Sequence, residues 1–155
     1  MGLISFIKNA GTKIFGKSGE KQEQEKAALI EAHIRKFGFD TSDIKIKVDD
    51  DRVTLAGSVD TMENKNKIIV TAGNVEGISA VEDWIVVKNP PVVAPPEPEK
   101  QFYTVKKGDY LSKIAKEVYG NANKYNIIFE ANKPMLKDPN LIYPGQVLVI
   151  PPLEK

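Results

Sequence analysis

The chain has 155 residues, 41% hydrophobic and 28% charged, the composition of a globular protein with room for one ordinary domain or two small ones. A net charge of +1 gives no bulk electrostatic case for nucleic acid. The absence of cysteine excludes disulfides, thiolate metal sites and cysteine nucleophiles.

Leu3, Ile7, Ala10 and Ile14 fall at helical spacing, with Phe6 and Phe15 beside the stripe. This predicts a short amphipathic helix within residues 1–19, weakened by Gly11 and Gly16. Its apolar face is expected to pack on the domain that follows; the alternative is a membrane surface. Residues 1–19 hold Lys8, Lys13 and Lys17 and no acid, whereas residues 20–88 carry ten basic and fourteen acidic side chains. Lys8 interrupts the first apolar run and no basic segment precedes it, so a signal peptide is not expected. No stretch approaches the ~20 apolar residues of a membrane span. A cytoplasmic monomer is the expectation.

A second helix is predicted up to Phe37, with Ala27, Ile30, Ile34 and Phe37 as its buried stripe and Gly38 as its stop. His33 lies off that stripe and reads as solvated. Ile44 to Val48 alternates strictly, Asp49-Asp50-Asp51 reads as a solvated turn, and Arg52 to Val59 returns as a second strand. The three aspartates lack the glycine and glutamate of a calcium loop. Asp60 reads as an N-cap with Glu63 completing a capping box, ahead of a helix burying Met62, Ile69 and Ala72. A strand over Ala80 to Lys88 follows, with Val81, Ile85 and Val87 on one face and Trp84 and Val86 on the other. Glu63, Glu76 and Asp83 read as solvated acids. The expected unit is an antiparallel sheet with helices on one face, over residues 20–88.

Asn89 to Lys100, NPPVVAPPEPEK, reads as an extended linker, spanning roughly 35 Å if it is polyproline II throughout. Residues 101–155 then read strand, helix, helix, strand. Leu111, Ile114, Ala115, Val118 and Tyr119 mark the first helix, Gly120 its C-terminal stop, and Lys124 to Ala131 the second. Pro144-Gly145 predicts a type II turn before Val147 to Ile150. The fold class is α+β, in two small domains.

The segments YTVKKGDYLSKIA, YGN, FEAN and YPGQVLVIP, in this order over about fifty residues, resemble a LysM domain. That resemblance implies binding of N-acetylglucosamine-containing glycans such as peptidoglycan. The groove would lie between Gly108, Asp109, Tyr110 and Leu111 on one side and Met135, Leu136 and Ile142 on the other. Here Tyr110 replaces a usual small Thr or Ser, and the segment NKPMLKDPNLIYPG is longer than the shortest loops of the family. The αββαβ order, the hairpin ending in Leu55-x-Gly57-x-Val59 and the run Asn74-Val75-x-Gly77-Ile78 resemble a BON domain.

BON followed by LysM, with the opening MGLISFIKNAG and the run YGNANKYNIIFEANKPML, resembles the bacterial Kbp family of cytoplasmic potassium-binding proteins. The family resemblance implies K⁺ as ligand, bound with a change of conformation. It also implies backbone carbonyls of Ile7, Ala10, Gly73, Val75 and Ile78 as its ligands. Read from the residues alone, Gly73 to Ile78 is a helix C-cap and a turn, because carbonyl sites leave almost no side-chain signature. A glycan-binding envelope protein, with BON against phospholipid, is the alternative. No nucleophile–base pair, metal motif or phosphate loop points to an enzyme.

Overall fold

A computed structural model describes residues 2–6, 23–89, 102–133 and 135–151. The N-terminal domain comprises β1 (Gly2–Ser5), α1 (Glu23–Lys36), β2 (Ile44–Asp49), β3 (Arg52–Thr61), α2 (Met62–Gly73) and β4 (Ala80–Asn89). Its four strands run in the order β1-β4-β3-β2. The C-terminal domain comprises β5 (Phe102–Thr104), α3 (Leu111–Tyr119), a 3₁₀ turn (Ala122–Lys124), α4 (Tyr125–Ala131) and β6 (Val147–Val149). Antiparallel β5 and β6 form its sheet.

Alternation on the N-terminal sheet follows the sequence: Val48, Val53, Leu55, Val59, Val81 and Ile85 point to the core. Ile30 and Ile34 of α1 and Ile68, Ile69 and Ala72 of α2 cover that face. The hairpin closes with Asp49 opposite Arg52, and Asp50 takes φ 55°, a left-handed conformation that Asp tolerates better than most residues. Gly57 adopts φ 128°, and a Cβ there would overlap the Asp43 carbonyl oxygen.

Five expectations are corrected. The sheet is mixed: β3 and β4 are parallel, because α2 carries the chain from one to the other as a crossover. The start of the chain is a strand and not a helix. Gly2 to Ser5 pairs antiparallel with Asp83 to Ala80, so Leu3 is exposed while Ile4 is buried. The remainder of the predicted N-terminal helix, like the 89–100 linker after Asn89, lies outside the described residues. The cap of α2 is Thr61, whose side chain accepts a hydrogen bond from the Asn64 N–H at 3.2 Å; β3 runs through Asp60, and Glu63 pairs with Lys67 instead. His33 is buried, its ring edge-on to Phe37 at 5.1 Å. Asp83 is buried too, 2.7 Å from the Lys65 ammonium, and accepts the Ile85 N–H.

In the C-terminal domain, Gly120 ends α3 in the left-handed conformation (φ 76°), and Gly145 takes φ 90° in a turn closed by the Gln146 N–H on Tyr143 O. Leu111, Ile114, Ala115, Ile128, Leu136 and Leu148 form the core.

The two domains dock. Ala131, Val147 and Val149 belong to the same buried cluster as Ile4, Phe6 and Val70, and Met135 packs against both cores. From Ile68 to Val75 every residue is buried, because the sheet and α1 cover one side of α2 and β6 approaches from the other.

Candidate functional site

The stretch after α2 is where the two domains and the N-terminal strand converge. Gly73 is the last residue of α2, Asn74 leaves the helix with φ −81°, ψ 51°, and its N–H donates to Val70 O at 3.0 Å. Val75 to Ile78 is a turn: the Ile78 N–H donates to Val75 O at 3.1 Å and Gly77 takes φ 102°. The Val75 and Ile78 side chains are wholly buried and anchor the turn, while the carbonyl of Val75 keeps a second lone pair beyond the turn bond.

The N-terminal strand delivers the chain to this turn. The Phe6 N–H donates to Ser79 O at 2.8 Å, and the Phe6 ring lies against Gly73 where any Cβ would overlap it. Gly73 is therefore a contact glycine, present because an aromatic ring occupies the space of its side chain. Ile7, the first residue of the implied carbonyl set, is bonded to Phe6; Ile7 and Ala10 lie outside the described residues. Gly73, Val75 and Ile78 are each buried, the first at the end of α2 and the other two in the turn that follows it.

The implied glycan groove divides into several environments. Leu111 and Leu136 are core residues, each 2% exposed. Met135 sits at the domain junction, where its sulfur accepts from the Asn74 amide at 3.5 Å. Ile142 packs on the C-terminal core, whereas Gly108 and Tyr110 are exposed. Tyr110 is the N-cap of α3 but makes no side-chain capping bond. Asp109 organises the loop, accepting from the Tyr103 hydroxyl at 2.7 Å and the Lys106 N–H at 2.9 Å. Burial opposes its ionisation, but these bonds and the nearby Lys113 ammonium outweigh it and hold the carboxyl below its usual range.

Three residues at the junction, Asn74, His33 and Gln146, have roles that no pattern in the sequence assigns to them. The Asn74 side chain pairs with β6 as a strand would: Nδ2 donates to Val147 O at 2.7 Å and Oδ1 accepts the Val147 N–H at 2.8 Å. His33 and Gln146 line a cavity of about 190 Å³ between α1, α2 and the loop before β6. Burial, with the Lys36 charge adding to it, pushes the His33 pKa down. An asparagine just past a helix reads as an ordinary C-cap, and no sequence signal marks its second role. For His33 the available signal was spacing, one turn before Phe37.

Residues 22–89 match the BON domain family and residues 103–151 the LysM domain family, so the chain is built from both. It is 46% identical over 153 residues to the potassium binding protein Kbp of Escherichia coli O6:H1, covering 97% of this chain and 99% of that protein. An uncharacterized protein of Deinococcus radiodurans is 36% identical over 104 residues, 64% of this chain and 40% of that longer protein. The chain belongs to the Kbp family.

Proposed function

We propose that this protein binds K⁺ through main-chain carbonyls of Ile7, Ala10, Gly73, Val75 and Ile78, and that the ion orders the N-terminal segment against the turn after α2. It acts as a cytoplasmic, non-enzymatic potassium sensor. The observation that carries the reading is Phe6. Its ring on Gly73 and its N–H on Ser79 O set Phe6, which precedes Ile7, against the end of α2 and the turn after it, where the other three carbonyls of this reading lie. Identity to the potassium binding protein Kbp over nearly the whole chain supports the choice of ion.

The chemistry is suited to a large monovalent cation. Potassium exchanges its water shell for a set of carbonyl dipoles and needs no carboxylates. The last carbonyls of a helix lack intrahelical partners and lie at the negative end of its dipole. Gly73 is such a position on α2. Without the ion, the N-terminal segment is held less firmly and the domains open; with it, they compact. The ion shifts that balance only by its differential affinity for the two states.

The test is calorimetric titration of the full chain with KCl and NaCl at constant ionic strength, with X-ray scattering in each salt. Saturable binding and compaction specific to K⁺ are expected. Ala10→Pro, which removes an N–H and fixes φ, should abolish most of the affinity. Gly73→Ala should weaken it through the displaced Phe6. K⁺ binding unchanged in Ala10→Pro overturns this site. Identical responses to both salts leave only charge screening. Pull-down on purified peptidoglycan separates the glycan-binding alternative.

A further inference from the structure

We propose that Asn74 is the residue that couples ion occupancy to domain docking, by joining the carbonyl turn to the C-terminal domain through its side chain. The inference rests on the K⁺ reading above and adds to it the route by which the C-terminal domain is engaged.

The geometry is that of a strand edge made from a side chain. In β6, Val147 turns its N–H and C=O away from β5, and both are taken by Asn74, at 2.8 and 2.7 Å. Two residues on, Val149 presents the same pair of groups on the same edge, and Asn132 takes them at 2.7 and 2.9 Å. One carboxamide belongs to the C-terminal domain and the other to the N-terminal domain. A carboxamide carries a donor and an acceptor side by side and so completes an open edge as a peptide group does. Asn132 completes it within the domain; Asn74 completes it across the junction. Asn74 is 5% exposed, so both bonds lie out of water, where leaving either group unpaired is costly.

Asn74 also occupies the one position between the carbonyls of Gly73 and Val75. The direction of those carbonyls depends on the backbone torsions through residues 73–75, and the side chain that fixes residue 74 is clamped to β6. A docked C-terminal domain therefore holds the turn in one orientation. An ion that selects that orientation favours docking in turn. Coupling of this kind is reciprocal: what the ion does for docking, docking must do for the ion.

Two variants approach the clamp from opposite sides. Asn74→Ala removes both bonds from the N-terminal domain. Val147→Pro deletes the N–H that Asn74 receives, on an edge where β5 does not need it, and touches none of the proposed ligand carbonyls. Circular dichroism establishes that each variant is folded; if Asn74→Ala is not, Val147→Pro decides. K⁺ affinity is measured by calorimetry and radius of gyration by X-ray scattering, in KCl and in NaCl. The expected result is a larger radius in K⁺ for both variants, and K⁺ binding weakened by about fivefold or more, the lower end of usual coupling between sites. Expansion with wild-type affinity overturns the proposal, since the clamp would then hold the domains without reading the ion. Wild-type radius and affinity in both variants overturn it as well. Failure of the K⁺ reading is separately visible as a wild-type chain that binds neither salt specifically, and that result removes the coupling with it.

Discussion

Single residues carry the largest departures from the pattern of the chain, and Asp83 shows why. Val81, Asp83 and Ile85 alternate, so an inward Asp83 was implicit in the strand; its charge made it read as solvated. Its actual partner, Lys65, lies on α2, and nothing in a linear pattern announces an ion pair between a strand and the helix packed over it. His33 failed in the same manner. It lies one position before the apolar stripe of α1, yet it is buried beside a cavity that Met135, Tyr143 and Gln146 of the C-terminal domain also line. That burial has a measurable consequence. The folded state holds the His33 pKa below its ordinary value of 6.5, through burial first and the Lys36 charge second, so the folded state takes up a proton less readily than the unfolded chain. Its stabilising contribution is thus fully present above about pH 6.5 and is lost as pH falls below it. Thermal unfolding between pH 7.5 and 5.5 should show a falling midpoint, and His33→Gln should flatten that slope. An equal slope in both proteins would assign the pH dependence elsewhere.

At the scale of elements, periodicity located most of the helices and strands, and their neighbours set the rest. Both helices of the C-terminal domain, the turn at Pro144-Gly145 and the β2–β3 hairpin follow the sequence because local apolar spacing and turn chemistry agree there. The first residues were misread because Leu3 and Ile7 fit a helical stripe, while Ile4 and Phe6 fit an equally good alternation; pairing with the free edge of β4 chose the strand. α2 misled in the opposite sense. A one-sided stripe was expected, yet Ile68 to Gly73 is buried all round, which a helix shows only when a second body covers it. Gly57 sits in the middle of β3, opposite Ile44, where a glycine has no propensity to recommend it. Its positive φ and the Asp43 carbonyl in the space of its absent side chain explain it. Gly57→Ala should therefore destabilise the N-terminal domain by about 1–3 kcal/mol, the cost of a strained backbone position, read as a lower urea midpoint with an unchanged denaturant slope.

For the whole molecule, the two domains were legible separately, and their docking was not. The linker composition predicted a spacer, and docking depends on which residues face the junction in three dimensions. The proposed ligand set is equally faint in the sequence, since carbonyls carry no residue identity, and only family likeness points to it. What the assembled chain offers is an internal comparison within one strand. The Val147 N–H is held by Asn74 of the other domain at 2.8 Å, whereas the Val149 N–H is held by Asn132 of its own domain at 2.7 Å. Opening of the junction frees the first amide and leaves the second bonded; global unfolding of the C-terminal domain frees both. Amide exchange reads these openings separately, because protection tracks the free energy of the event that exposes each group. If K⁺ favours the docked state, saturating KCl should slow exchange at Val147, and at Val149 by the same factor where its exposure also requires the junction to open. At about a hundredfold excess over the dissociation constant, and with binding confined to the docked state, the slowing should approach a hundredfold. Slowing at Val147 alone would mean that Val149 exchanges by a local opening within the docked state, and no change at Val147 would mean that docking is independent of potassium.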